Sequence, residues 1–297
     1  MMDGIPQSPS RRQFLKATLA AAAGVATIGP RVCLGDERND AAYWAFLSDT
    51  HIAADPDDRY RGFCPYQNLE YITDQLNGSL PDGLVVAGDL ARLKGRPGDY
   101  ENLRKLLNPI ADQRPIHLAT GNHDNRGNFL RTFENSRDHA WTVRGKHIVT
   151  VRSGPVRLIL LDSLLFIDLP WGKLGRPQRA WLETYLRVSD DTPTILFVHH
   201  PIAGKDSLFD GRAFWDLIKP MAKVKAVVHG HSHIFGVSEC DGIHVIGLPA
   251  TGYNTYDRDP VGWMDAHLSR DYGDFFLHAI DGNTRLDGTA RRLRWRT

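Results

Sequence analysis

The chain has 297 residues, of which 42% are hydrophobic and 24% charged, and a formal net charge of +1. That composition supports a sizeable core and excludes a globally disordered chain. Without Asp3, Arg11, Arg12, Lys16 and Arg31 of the first 35 residues, 32 basic residues face 34 acidic ones, a net of −2 that disfavours a nucleic-acid-binding surface.

The first recognisable stretch is Ser10-Arg11-Arg12-Gln13-Phe14-Leu15-Lys16, followed by an Ala-rich apolar run from Ala17 to Ile28. That run is too short to span a bilayer as a helix, so no stable membrane span is expected. The pattern resembles a twin-arginine export signal. The resemblance implies a signal peptide over residues 1–35, cut between Ala23 and Asp36, an export machinery as partner, and a mature protein in the periplasm or outside the cell. Chains exported by this route generally fold and load their metals before crossing. The remaining residues, 36–297, are read as one catalytic domain. Cys64 and Cys240 are the cysteines left after the signal. An extracytoplasmic compartment allows them to pair, and two separate buried thiols are the alternative.

Residues 36–40 read as a charged linker. Tyr43 to Ser48 is the first core strand, and it ends in Asp49-Thr50-His51. In extended chain, residues two apart share a face, so Asp49 and His51 can reach one point. Gln67 to Leu76 has helical spacing through Leu69, Ile72 and Leu76. Leu84 to Ala87 is apolar throughout, as a strand buried on both faces should be, and ends in Gly88-Asp89. A helix begins near Asp99. Pro115 to Thr120 is a further strand, running into Gly121-Asn122-His123-Asp124, where Gly121 is expected to let the backbone turn sharply. Alone, that tetrapeptide reads equally well as a plain turn. A short helix is expected around Phe129 and Phe133, and a hairpin over Ile148–Val151 and Val156–Leu161 across Ser153-Gly154-Pro155.

The second half continues with a loop from Leu164 to Gly175 that exposes Trp171, and a helix over Pro177–Leu186 with proline in its first turn. A buried strand at Thr194–Val198 ends in His199-His200-Pro201. A short helix spans Gly211–Ile218. The strand Val224–Val228 ends in His229-Gly230-His231-Ser232-His233. The remainder reads as short strands and turns, with an aromatic loop at Gly252-Tyr253-Asn254-Thr255-Tyr256 that forms either a pocket wall or plain surface.

Each of five strands thus ends in metal-type donors: Asp49 and His51, Asp89, Asn122 and His123, His199, His231 and His233. Imidazole and carboxylate together suit zinc, iron and manganese, and one carboxylate can bridge two ions about 3.5–4 Å apart. A closed structural metal site is disfavoured, because such sites are usually Cys/His cages. His117, His139, His147, His244, His267 and His278 are read as structural; His200 and His229 stand open between structural roles and substrate contact.

The ordered set Asp-x-His, Gly-Asp, Gly-Asn-His-Asp, His-His-Pro, Gly-His-Ser-His resembles the calcineurin-like metallophosphoesterases, from about Tyr43 to His233. The resemblance implies an α/β fold, a four-layer α/β/β/α sandwich. It also implies two divalent or trivalent ions, of Fe, Mn or Zn. Asp49, His51 and His233 would hold one ion, Asn122, His199 and His231 the other, and Asp89 would bridge them. It further implies His123 as proton donor to the leaving group, with Asp124 positioning it, and attack on phosphorus by metal-activated hydroxide. The substrate implied is a small-molecule phosphate ester, and the single-domain layout resembles the cyclic-nucleotide phosphodiesterase-like branch. An exported phosphomonoesterase or nucleotidase is the alternative, and an inactive metal- or phosphate-binding protein the reading from a different class. Arg92 stands where purple acid phosphatases place a metal-binding tyrosine, so the purple chromophore is not expected.

Overall fold

The computed structural model describes residues 41–133 and 143–297. The expected signal, the linker and His139 lie outside the described residues. In chain order the elements are β1 (Ala42–Leu47), α1 (Pro65–Asn77), β2 (Gly83–Val86), α2 (Pro97–Ala111), β3 (Ile116–Leu118) and α3 (Arg126–Phe133). Then come β4 (Val149–Ser153), β5 (Val156–Leu161), α4 (Arg176–Val188), β6 (Thr194–Val198), α5 (Gly211–Ile218) and β7 (Val224–His229). The chain finishes with β8 (Gly236–Cys240), β9 (Ile243–Gly247), β10 (Pro260–Leu268), β11 (Tyr272–Gly282) and β12 (Ala290–Arg294).

The strands form two sheets of six, ordered β12-β11-β10-β1-β2-β3 and β4-β5-β6-β7-β9-β8. Within them β1, β2 and β3 run parallel, as do β5, β6, β7 and β9. Parallel strands covered on both faces should be apolar throughout, and β2, β5 and β6 are buried at every position. The facing sides of the sheets interlock through Phe46, Leu158, Phe197, Val228 and Phe275. Phe46 meets Phe197 edge to face at 4.8 Å, a favoured aromatic geometry. On the outer face of the first sheet, Leu69, Ile72 and Leu76 of α1 and Tyr100, Leu103 and Ile110 of α2 cover Ala45, Leu47, Leu84 and Val86. On the outer face of the second, Leu182 and Leu186 of α4 and Phe214 and Ile218 of α5 cover Ile159, Leu161, Leu196 and Val198. The expected four-layer α/β/β/α sandwich is the observed one.

One reading needs correction. The C-terminal quarter is not only short strands: β8, β9 and β12 have five residues each, but β10 has nine and β11 eleven, and β10 pairs antiparallel with β1, placing Met264 opposite Phe46. Polar residues within these strands obscure the pattern. Their partners come from other strands: Asp265 accepts from Tyr43 Oη of distant β1 at 2.7 Å and lies 2.7 Å from His278 Nε2 of the adjacent β11. Of the two alternatives left open for the cysteines, the unpaired one is observed. Cys64 is a buried free thiol and Cys240 an exposed one. No helix among the described residues is long and apolar enough to cross a membrane.

Candidate metal centre and active site

The donors sit where the parallel strands end. Asp49 N–H donates to Gly88 O at 3.0 Å and His51 N–H to Asp89 O at 3.0 Å, which locks the loop after β1 onto the loop after β2. Across the sandwich, His199 Nδ1 lies 2.9 Å from Ala87 O, and His231 N–H donates to both carboxylate oxygens of Asp49 at 3.1 Å. The loops are strained where the donors are. Asp49, His51, Asp89, His231 and His233 have φ of 53°, 47°, 48°, 65° and 56°. Non-glycine residues rarely adopt such values, and strain of this kind persists only where the surroundings hold it.

Two clusters result, buried except at half-buried His231. Asp49, His51 and His233 bring their ligand atoms within 4.8 Å of one another, and so do Asp89, His199 and His231. Asp89 lies between the clusters, its Oδ2 3.3 Å from His199 Nε2 and 3.9 Å from His51 Nε2. In the first cluster His233 Nε2 lies 3.3 Å from Asp49 Oδ1 and 3.2 Å from His51 Nε2. Three imidazoles are oriented by carbonyls on their far nitrogen: His51 by Arg92 O at 3.3 Å, His199 by Ala87 O at 2.9 Å and His233 by Tyr253 O at 2.7 Å. A bond from Nδ1–H to a carbonyl fixes the tautomer and leaves the Nε2 lone pair for a cation.

The donor set fits metal ions. Asn122 Oδ1 is buried with no hydrogen-bond partner among the described residues, a costly state unless something else binds it, and His199 Nε2 faces only the Asp89 carboxylate, at 3.3 Å. Electrostatics agree. Burial works to raise Asp89, but His199, His123 and His51 outweigh it and hold the carboxyl well below the usual range. Burial works to lower His199, yet the Asp89 and Asp49 charges push it up to about 9. His51 and His231 are lowered to about 3 and about 4, chiefly by burial, and so are neutral donors.

His123 stands beside this centre without joining either cluster. Its backbone N–H donates to Asp89 Oδ1 at 2.9 Å, and its Nε2 lies 3.9 Å from Asp89 Oδ2. Its Nδ1 faces Leu93 O at 2.9 Å and Asp168 Oδ1 at 3.8 Å. The expected positioning of His123 by the Asp124 side chain is therefore corrected. Asp124 is fully buried and accepts from Gly121 N, Leu90 N, Ala91 N and Tyr100 Oη at 2.8, 3.2, 3.1 and 3.0 Å. It ties the loop after β3 to the loop after β2. Gly121 is needed for a different reason from the one expected. Its φ is not left-handed, but a Cβ there would collide with Asp89 Oδ1 and come within 2.7 Å of His199 Cδ2.

His200 is buried, its Nδ1 2.7 Å from Ser163 Oγ and its ring 4.6 Å from that of His231, which makes it packing behind the centre. His229 Nδ1 lies 3.1 Å from Gly230 O. His147, His244 and His278 bond Leu118 O, Arg294 O and Asp265, and His267 stacks on Tyr43, as structural histidines should. Tyr253, from the aromatic loop, stacks 4.6 Å from His51 and forms one wall of the centre. Arg92 pairs with Asp58 at 2.8 Å and lies over Tyr60 and Tyr253. Sequence reading missed Leu93 O and Asp168. A carbonyl has no sequence signal, and one aspartate in a long loop resembles any other. A cavity of about 660 Å³ between the β3 and β4 edges contains none of these donors.

The profile of calcineurin-like phosphoesterases matches residues 44–235. The chain belongs to this family. As a calcineurin-like phosphoesterase it is a metal-dependent phosphoric ester hydrolase with a two-metal centre. It is 31% identical to a cAMP/cGMP dual specificity phosphodiesterase of Mycobacterium tuberculosis, over 79% of this chain and 77% of the relative. It is 28% identical to a glycerophosphodiester phosphodiesterase of Enterobacter lignolyticus, over 70% of this chain and 76% of the relative. The fold matches that of a dimetal phosphatase from Danio rerio with a TM-score of 0.69 at 15% identity, covering 86% of this chain and 99% of the other. Residues 8–27 match the twin-arginine translocation signal, so this phosphoesterase is exported.

Proposed function

We propose that this phosphoesterase is an exported phosphodiesterase of the cyclic-nucleotide phosphodiesterase-like branch, acting on small-molecule phosphodiesters. The observation that carries the reading is the pair of donor clusters meeting at Asp89. The relatives named for cyclic nucleotide and glycerophosphodiester hydrolysis support the diester preference. In this reading Asp49, His51 and His233 hold one ion, Asn122, His199 and His231 the other, and Asp89 is shared. Imidazole, carboxylate and amide donors suit Fe, Mn or Zn. When bound, the ions supply Lewis-acid polarisation of the phosphoryl oxygens and of an attacking water.

The protein's own groups do the rest. Leu93 O accepts from His123 Nδ1–H, which leaves Nε2 to carry the transferable proton. His123 retains 20% of its side-chain exposure, enough to meet a leaving alkoxide arriving from solvent. Asp89 holds the His123 backbone through Oδ1 while its Oδ2 faces the donors of both clusters, so donor and ligand positions are coupled. The pairing of β10 with β1 and β11 supports counting residues 36–297 as one catalytic domain after a 1–35 signal.

The test is Asp89→Asn. The variant is expected to lose both ions and all hydrolysis, measured as metal stoichiometry per chain and turnover on a panel of cyclic nucleotides, other diesters and monoesters. Two retained ions with normal turnover would sink the shared-ligand assignment. Wild-type turnover of monoesters alone would sink the diesterase assignment.

A further inference from the structure

A cavity of about 560 Å³ begins at His231, between the loop after β6 and strands β8 and β9. That volume is ordinary for a small-molecule site, roughly 300–1,000 Å³. His123, Leu93 and Asp168 do not line it. The centre therefore has two separate flanks: one carries the proton donor, the other opens into a cavity. A monoester has one organic group, the leaving group, and it must face His123. An acyclic diester has a second organic group that stays on phosphorus and needs its own seat, whereas in a cyclic diester both ester oxygens belong to one group.

We propose that this cavity seats the retained ester group of an acyclic phosphodiester, and that it selects a bulky, uncharged, ring-bearing alcohol; the proposal rests on the phosphodiesterase reading above. Three features of the lining carry it. Pro201, Ile234, Val237 and Val245 supply apolar wall. Tyr256 presents a ring that is 50% exposed, with the Arg258 guanidinium 4.9 Å from its centroid. Such a ring, held by its neighbour yet open to solvent, is suited to stack on a planar group. Lys205 and Asp206 are the lysine and the carboxylate of the lining, and they lie 3.8 Å apart, so they neutralise each other. A second charged group on the substrate would meet cations already placed beside carboxylates, Lys205 by Asp206 and Arg258 by Asp259, whereas an apolar ring gains contact along the walls.

The test holds the leaving group constant and varies only the retained group. Three substrates release the same nitrophenolate: p-nitrophenyl phosphate, methyl p-nitrophenyl phosphate and thymidine 5′-(p-nitrophenyl phosphate). The metal-loaded wild type is expected to prefer the thymidine diester to the methyl diester by at least about tenfold in kcat/KM, the scale on which a shaped apolar pocket discriminates. Tyr256→Ala and Ile234→Ala, both at half-exposed positions, should each remove most of that preference, mainly through KM. Equal kcat/KM for the two diesters in the wild type, or an unchanged preference in both variants, overturns the cavity assignment and leaves the diesterase reading standing. Cleavage of p-nitrophenyl phosphate with no turnover of either diester overturns the diesterase reading, and the cavity assignment falls with it.

Discussion

His123 is where single-residue chemistry can be separated from metal holding. Its imidazole belongs to neither donor cluster, so His123→Ala should keep wild-type metal content. General-acid catalysis typically contributes about 10²–10⁴-fold. Turnover of diesters with poor alkoxide leaving groups should fall by that order, and nitrophenyl esters should suffer less, because their leaving group needs little protonation. Equal losses on both kinds would assign His123 to phosphate binding. A second prediction concerns His199. The nearby Asp89 and Asp49 push this imidazole up to about 9 against the effect of burial, so at neutral pH the metal-free protein holds a proton there. A cation must displace that proton, and the bound form does not carry it. Loading therefore tightens as pH rises towards 9, by up to roughly tenfold per unit for one displaced proton. Calorimetric Mn²⁺ titrations between pH 6 and 8 would measure the slope, and a flat profile would remove the proton competition.

At the scale of elements, the centre depends on how firmly three loops are tied together. Tyr100, on α2, makes two of the ties: its hydroxyl donates to Asp124 Oδ1 at 3.0 Å and accepts from Asn125 N–H at 2.8 Å. The ring is buried in the outer core of the first sheet. Tyr100→Phe keeps that packing and leaves a buried carboxylate short of one donor and a backbone N–H short of its acceptor. The cost expected is about 1–3 kcal/mol, read as a lower urea midpoint at unchanged m-value. The loop carrying Asn122 and His123 should also loosen, so metal affinity should drop together with stability. A shift of the urea midpoint with metal affinity intact would confine Tyr100 to holding the fold.

For the whole molecule, export and chemistry are written in separate parts of the chain. Residues 8–27 carry the twin-arginine signal, and every donor named above lies between Asp49 and His233. Arg11→Lys with Arg12→Lys should therefore leave hydrolysis of the purified protein unaltered and trap the precursor in the cytoplasm, as cell fractionation would read. Unchanged export would mean that another segment addresses the protein.

The sequence by itself determined the periodic and the punctuated features. Apolar runs at β2, β5 and β6 are legible because a strand covered on both faces must be apolar throughout. The donors are legible because each follows an expected strand within a few residues, and their order along the chain is specific even before their positions are known. Three-dimensional packing decided what no local pattern encodes. Gly121 is required by the closeness of Asp89 and His199, which arrive from other strands. Asp124 bonds Leu90, Ala91 and Tyr100, more than twenty residues away, and so ties loops where the family resemblance implied that it steers its neighbour His123. Strands β10 and β11 hide their polar residues by pairing Asp265 with Tyr43 and His278. In each case a deciding partner lies on another element, and sequence order carries no record of which such groups will meet in the folded core.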